Sequence, residues 1–592
     1  MKNAATTVIP EQEVSMFETL PALPATSQEF ASWTWEQIAP YYADLESRPL
    51  SAETVDTWLL DWTRVASLMD ELNTWYSIAT TVNTADTELQ DRYTAFLDHI
   101  RPPAAEAEQR LKEKLLASGL EPAGFTAVLR KLRTDAALYR EANNPVLADL
   151  RKLDLEYDGI TGARTVTWEG EEVPLSRVRP ALLDPDRDRR ERAYHTIRGR
   201  IIQDTPQLGD LWRRMMTLRA QAATNAGYPN YRDYRWQQLY RYDYTPDDAK
   251  RFHDAIAEVI VPAVVRLNAR RREQLGVPTL RPWDIDVDPT GKPALRPYGT
   301  IEELEAKTSA VFSHVDPQFG QYFETMRAEK LLDLDSRKNK APGGYSLCYN
   351  VIRRPFIFMN GAGTHDDVQT LLHEGGHAFN SFEMAVLPYL QQRQEEMLPA
   401  EFAEVASMGM ELLASPYLTQ EYGGFYTEAQ AARARAENLA GVISFWPYMA
   451  MIDGLQLWMY EHQDEAADIE RCDDYWVTLS DRFRPDWDWS GLEQEKRTLW
   501  HGQGHVFQSP FYYIEYGMAQ LGAVQLWANA IKDQAGAVAA YRRALAVGGT
   551  VSLPEMYSTA GIRFAFDAET LGMAVELIER TLAELEPLAR EG

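Results

Sequence analysis

Thr370-Leu-Leu-His-Glu-Gly-Gly-His-Ala-Phe379 is the stretch whose reading decides this chain, because it contains His373-Glu374-Gly375-Gly376-His377. On an α-helix, residues four apart lie about 40° apart around the axis and one turn along it. The two imidazoles therefore project together and can hold one metal ion. Glu374 lies about 100° from His373 and about 60° from His377, so it flanks the same face. A metallohydrolase needs a general base there, beside the water that its metal activates. In a chain with ten histidines, an accidental HExxH is expected at about one per cent, so the surroundings carry the decision.

Upstream, Pro355-Phe-Ile-Phe-Met-Asn360 is a short apolar run that reads as a strand. Gly361-Ala-Gly363 turns the chain, and Thr364-His-Asp-Asp367 fits a capping box. From Val368 onward the apolar residues recur at helical spacing. Gly375 and Gly376 each cost a helix about 1 kcal/mol; they suit a helix that must let a substrate or another backbone come close. The strand over Pro355–Met359 is expected to offer an exposed edge on which a peptide adds as a further strand. Phe358 and Gly361 are its candidate substrate contacts.

Composition narrows the function classes. With 592 residues and 45% hydrophobic content, the chain can bury a large core. A formal charge of −28 argues against nucleic acid, since phosphate binding needs basic patches, and it gives no polybasic membrane signal. Two cysteines, Cys348 and Cys472, form no disulfide framework and no zinc-thiolate cluster. Met1-Lys-Asn-Ala-Ala-Thr-Thr7 lacks the apolar core of a signal peptide, so a cytoplasmic location is expected. Leu439–Ile452 contains Pro447 and runs into Asp453; it is too short to span a bilayer and reads as a buried helix.

The pattern along the chain is mostly α. Residues 1–28, with Pro10, Pro21 and Pro24, read as an extended N-terminal arm. Residues 29–180 form an N-terminal helical region with a β-hairpin near 165–175. Residues 181–592 form the catalytic region, with a small β element beside the HExxH helix. Asp184-Pro185 and Thr245-Pro-Asp-Asp248 read as helix starts. Trp283–Gly299 reads as a loop with short strands at most.

A catalytic zinc site takes three protein ligands and keeps one open position. After His377, Glu383 lies six residues on and faces about 240° away. Glu396 has an aminopeptidase-like spacing, but the Met-Glu-Asn motif of those enzymes is absent. Glu401, Glu404 and Glu411 share a stripe on the helix opened by Pro399. Such a stripe can be a solvated acidic face, but Phe402, Ala403, Val405, Ala406 and Met408 leave little of this helix polar. Tyr513 and Tyr516, three apart, share a helical face, which can be a core stripe or a pair of hydrogen-bond donors.

Lys340-Ala-Pro-Gly-Gly-Tyr345, Pro355–Asn360, Thr370–His377, Glu401-Phe-Ala-Glu-Val-Ala-Ser407 and Leu218-Arg-Ala-Gln-Ala-Ala-Thr-Asn-Ala-Gly-Tyr-Pro-Asn-Tyr231 together resemble the thimet oligopeptidase and oligoendopeptidase F family of zinc metallopeptidases. The resemblance covers roughly residues 180–580. It implies two helical lobes around a deep substrate channel and one Zn²⁺ per chain. It assigns the metal to His373, His377 and Glu404, with Phe402 and Ser407 in register, and gives Glu411 an orienting role. Glu374 is implied as the base. His505, Tyr513 and Tyr516 match the family's histidine, glycine-containing loop and tyrosine pair. Tyr516 is implied as oxyanion donor, His505 as its catalytic companion and Tyr513 as a substrate contact. A further family tyrosine falls near Pro510 or Tyr512. Asn380 stands where relatives often carry histidine, at a position that is not a ligand. The expected activity is endopeptidase cleavage of short unstructured oligopeptides by a Glu-activated water. The alternative is a dipeptidyl-carboxypeptidase or carboxypeptidase with the same zinc apparatus.

Overall fold

The structure, a computed structural model, describes residues 17, 20–394 and 397–590. Most of the expected arm over 1–28, and Glu396, lie outside the described residues. Val55–Val82 (α1) is a 28-residue helix whose Trp58, Leu59, Trp62 and Val65 face inward. It centres an apolar cluster built from residues between 17 and 132, joined from far along the chain by Tyr389, Leu390 and Met397. Leu138, Val146, Leu153 and Tyr157 pack instead into the main core. Leu175 and Val178, with Val166, Trp168 and Val173, join a third, smaller cluster, so the region expected over 29–180 is shared among three.

Thr165–Trp168 (β1) and Glu171–Pro174 (β2) pair antiparallel, with Trp168 opposite Glu171. Glu169 and Gly170 both take positive φ, as the tight primed turn of a two-residue hairpin requires. The expected start at Asp184 is displaced by two residues. Asp186 caps the helix Arg187–Ile202 by accepting from Asp188 N, while Asp184 accepts from Asp186 N and holds Pro185 outside the helix. Tyr231–Gln238 (α2) is followed by Pro246–Ala255, whose Thr245–Asp248 capping box forms as expected. Trp283–Gly299 contains no strand among the described residues.

Leu332–Asp335 (β3), Tyr345–Tyr349 (β4) and Arg354–Gly361 (β5) form one sheet in the order β3-β5-β4. β5 runs parallel to β3 and antiparallel to β4. This corrects the expectation of an exposed edge over Pro355–Met359: β5 is the central strand. Its continuous apolar run is what burial on both faces demands. Among the described residues β3 and β4 each pair only with β5, so these two are the edge strands, and β4 is the one that borders the HExxH helix cavity.

The turn after β5 leads into His365–Met384 (α3). Asp367 closes the capping box by accepting from Thr364 N at 2.7 Å, and it also accepts from Ala362 N and Tyr298 Oη. Ala400–Ala414 (α4), Glu428–Glu461 (α5), Tyr513–Lys532 (α6) and Gln534–Ala546 (α7) follow. α4 is sandwiched between α3 and α6. Leu439–Ile452 lies inside α5, mostly buried. Among the described residues no helix is long and apolar enough to cross a membrane. The fold is mostly α, with the small sheet lying directly against α3.

Candidate metal centre and active site

The second glycine of the HExxH helix explains how Glu404 arrives beside the histidines. A Cβ on Gly376 would lie 2.3 Å from Ala406 O and 2.6 Å from Ser407 Cα. α3 and α4 therefore cross in backbone contact, which only glycine allows. That crossing delivers Glu404 to the histidines: Glu404 Oε2 lies 3.4 Å from His373 Nε2 and 3.7 Å from His377 Nε2. One ligand atom from each of the three residues falls within 4.8 Å of the other two. Two imidazole nitrogens and a carboxylate oxygen are a zinc-type donor set, so these residues fit a resident metal ion.

The next layer orients them. His373 Nδ1 lies 2.7 Å from Glu411 Oε1, which turns Nε2 toward Glu404. Ser407 Oγ donates to Glu404 Oε2 at 2.9 Å. Glu401, on the same helix, is turned away and accepts from Tyr244 Oη at 2.7 Å. Glu383 pairs with Arg542.

The cluster opens into a cavity of about 420 Å³. Gly344, Tyr345 and Ser346, at the start of β4, form one wall. His373, Glu374 and His377 of α3 and Ala403 and Glu404 of α4 form the floor. Tyr512 and Tyr516 close the opposite side. Burial pushes the Glu374 carboxyl up to about 7, with His373 opposing and Glu404 and Glu411 adding to the rise. Burial works against the charged form of His373, but hydrogen bonds and attraction from Glu404 and Glu411 outweigh it and raise the imidazole to about 10. Burial takes His377 down to about 4. Glu404 is held low, because its histidine and Ser407 contacts outweigh the burial that opposes them. Burial raises both cavity phenols, Tyr516 to about 12, so each keeps its proton for donation.

The structure brings together His373, His377, Glu404, Glu374 and Tyr516. It places the other predicted residues elsewhere. Tyr513 packs against Phe445 and Tyr448 with ring centroids 5.7 and 5.8 Å away, outside the cavity lining. His505 stands one layer back: its ring is 6.0 Å from Tyr512 and 6.1 Å from Tyr516, and Gln503 Nε2 is 2.8 Å from its Nδ1. Phe358 is fully buried in β5 and stacks on Tyr345 at 4.7 Å. Gly361 sits against Tyr298 Oη and Leu334 O, away from the cluster. Tyr512 also lines the cavity, a phenol to which the sequence pattern gives no role of its own; its spacing of four from Tyr516 is the available signal. His501 is buried, with Nε2 2.8 Å from Asp473 Oδ1, and His365 contacts Tyr426 Oη.

The sequence profile of peptidase family M3 matches residues 181–573, and that of the peptidase M3 N-terminal domain matches residues 27–124. The chain belongs to peptidase family M3. It is therefore a peptidase, and its substrates are peptides. Among solved structures, one provisionally assigned as oligoendopeptidase F is 26% identical, with a TM-score of 0.83 over 95% of this chain and 100% of that one. Pz peptidase A, solved with an inhibitor, is 23% identical, with a TM-score of 0.81 over 96% and 99% of the two chains. A provisional oligoendopeptidase F from Bacillus anthracis strain Ames is 22% identical, with a TM-score of 0.76 over 93% and 97%. Comparison with curated proteins returned no match. The M3 fold thus accounts for nearly the whole chain.

Proposed function

We propose that this M3 peptidase is a zinc-dependent endopeptidase that cuts short, unstructured oligopeptides in the cytoplasm. The observation that carries the reading is the convergence of His373, His377 and Glu404, with Glu374 beside them at the floor of one cavity. These three residues would hold the zinc ion, which when bound would supply Lewis acidity toward a carbonyl oxygen and a water made nucleophilic near neutral pH. Glu374 takes the proton of the attacking water and delivers it to the leaving amine, as its place beside the two histidines allows. Tyr512 and Tyr516 donate hydrogen bonds to the oxygen that gains charge as the carbonyl becomes tetrahedral. His505, against both phenols, keeps them in place. Glu411 holds His373 in the orientation that presents Nε2.

The peptide backbone adds to the free edge of β4, beside Gly344. A Cβ there would approach Thr370 to 3.2 Å and Glu374 Oε1 to 3.7 Å, so glycine keeps the approach to the base open. Substrate contact is thereby assigned to the Gly344–Ser346 edge rather than to Phe358, Gly361 or Tyr513. The residues lining the cavity all belong to the 181–592 catalytic region, and the 29–180 helical region supports its β4 wall through Thr81 Oγ1 and Tyr345 Oη.

A quenched fluorescent peptide blocked at both ends tests the reading. It should be cut at internal bonds, lose cleavage on treatment with a chelator and regain it with zinc. Cleavage confined to peptides with a free terminus would establish an exopeptidase instead. Full activity after complete metal removal would end the zinc proposal.

A further inference from the structure

Tyr512 stands directly after Phe511, which has φ of 69° although it is not glycine, and whose side chain is fully buried. A bulky residue in the left-handed region persists only where its surroundings over-determine it. Here both neighbouring peptide groups are held by side chains from outside the loop. Phe511 N donates to Gln456 Oε1 at 3.1 Å, and Phe511 O accepts from Arg241 Nη2. The same Nη2 donates to Glu515 Oε1 at 2.7 Å, in the first turn of α6. Gln456 Nε2 also reaches His505 O, at 3.5 Å. The Arg241 guanidinium is itself fixed over the rings of Trp236 and Tyr244, at 4.5 and 5.4 Å. Arg241 lies just after α2 and Gln456 lies in α5, and neither lines the metal cavity.

We propose that Arg241 and Gln456 are positioning residues for the transition state. They lock Phe511 in its left-handed conformation, and this sets the direction in which Tyr512 leaves the loop and the rotation at which Tyr516 enters α6. The inference rests on the proposed role of the two phenols as oxyanion donors. A donor displaced by about 1 Å can cost on the order of 10²-fold in rate, so the clamp acts on kcat rather than on substrate affinity.

The test is a coupling experiment on the zinc-loaded, full-length enzyme. Arg241→Met combined with Glu515→Gln removes the clamp together with its partner charge, and Glu401, 3.9 Å from Arg241 Nε, keeps Lys131 as a neighbouring cation. Gln456→Met is an independent variant that introduces no charge and reads the same clamp if the first pair folds poorly. Each should lower kcat by about 10–10²-fold, with KM within about twofold and zinc content unchanged. Added to the Tyr512→Phe/Tyr516→Phe double variant, each should lower kcat by less than about threefold more, because both donors it positions are already gone. Fully multiplicative losses, a change confined to KM, or wild-type kcat in the clamp variants would overturn the proposal. If Tyr512→Phe and Tyr516→Phe themselves leave kcat unchanged, the phenol role fails first and the clamp falls with it. A loss in those variants but not in the clamp variants refutes the clamp alone.

Discussion

Gly376→Ala adds one methyl group at the crossing of α3 and α4 and should dismantle the metal centre from behind. The new Cβ would lie 2.3 Å from Ala406 O and 2.6 Å from Ser407 Cα, where ordinary contact begins at 3.4 Å. The helices must therefore separate by about 1 Å, because the obstacle is backbone on both sides and no side chain can swing away. Alanine recovers about 0.8–1 kcal/mol of helix propensity. Overpacking costs about 1–3 kcal/mol, and an unyielding backbone puts this site at the upper end. The net effect on the metal-free fold is a loss of about 1–2 kcal/mol. The effect on the metal is larger. Glu404 rides on α4 and moves with it, away from His373 Nε2 and His377 Nε2, whose present distances of 3.4 and 3.7 Å leave one cation within reach of all three. Zinc affinity should fall by more than the roughly 10–100-fold seen when an outer partner is lost. The assay is competition for zinc against a buffering chelator, with thermal unfolding of the metal-free protein alongside. A Gly376→Ala protein that binds zinc as tightly as the parent, with unchanged kcat/KM, would refute the argument that backbone contact sets the ligand geometry. Gly375→Ala is the companion. Its Cβ meets the Phe312 ring at 2.5 Å, so it should cost stability while moving Glu404 far less.

Three further outcomes are expected. Glu374→Gln should retain zinc and lose at least about 10²-fold in kcat, as removal of a general base requires; single-turnover cleavage at saturating peptide reads it directly. Tyr516→Phe and Tyr512→Phe should each lower kcat by about 10–10³-fold with little change in KM, whereas Tyr513→Phe, outside the cavity lining, should stay within about threefold; steady-state kinetics on one blocked peptide ranks the three. Glu411→Gln keeps an acceptor for His373 Nδ1 but removes its charge, and should weaken zinc binding by about tenfold, the low end for an outer partner, measured by the same chelator competition.

What was legible in the sequence divides by the range of the interactions involved. The capping box at Thr364, the helix through His377 and the hairpin at 165–174 depend on residues within a few positions of one another, and the local pattern decides them. The mostly α architecture follows from the same source, because long periodic segments such as Val55–Val82 carry their fold in their spacing. Strand order does not work that way. The all-apolar run in β5 is equally compatible with an edge covered by helices and with a centre flanked by strands. Only the pairing with β3 and β4, whose sequences are short and mixed, makes it central. Placing an exposed edge on Pro355–Met359 therefore picked the strand that lies at the centre of its sheet.

The tyrosines show a subtler limit. Helical periodicity ranks Tyr512, Tyr513 and Tyr516 only if the point where the helix begins is known. Read as one continuous helix, Tyr513 and Tyr516 at i,i+3 and Tyr512 and Tyr516 at i,i+4 are equally good pairs. The choice is made one residue earlier, where Phe511 turns left-handed and the chain enters α6 with Tyr512 facing the cavity and Tyr513 facing Phe445 and Tyr448. Phenylalanine gives no local hint of positive φ. The conformation is imposed by Gln456 and Arg241, which are 55 and 270 positions away in the chain. Sequence resemblance could identify the tyrosine cluster, because a motif preserves residue types. Which phenol faces His373, His377 and Glu404 is decided by long-range hydrogen bonds to a single strained peptide. A Gln456→Met variant should therefore disturb the tyrosines while leaving the His373, His377 and Glu404 cluster intact.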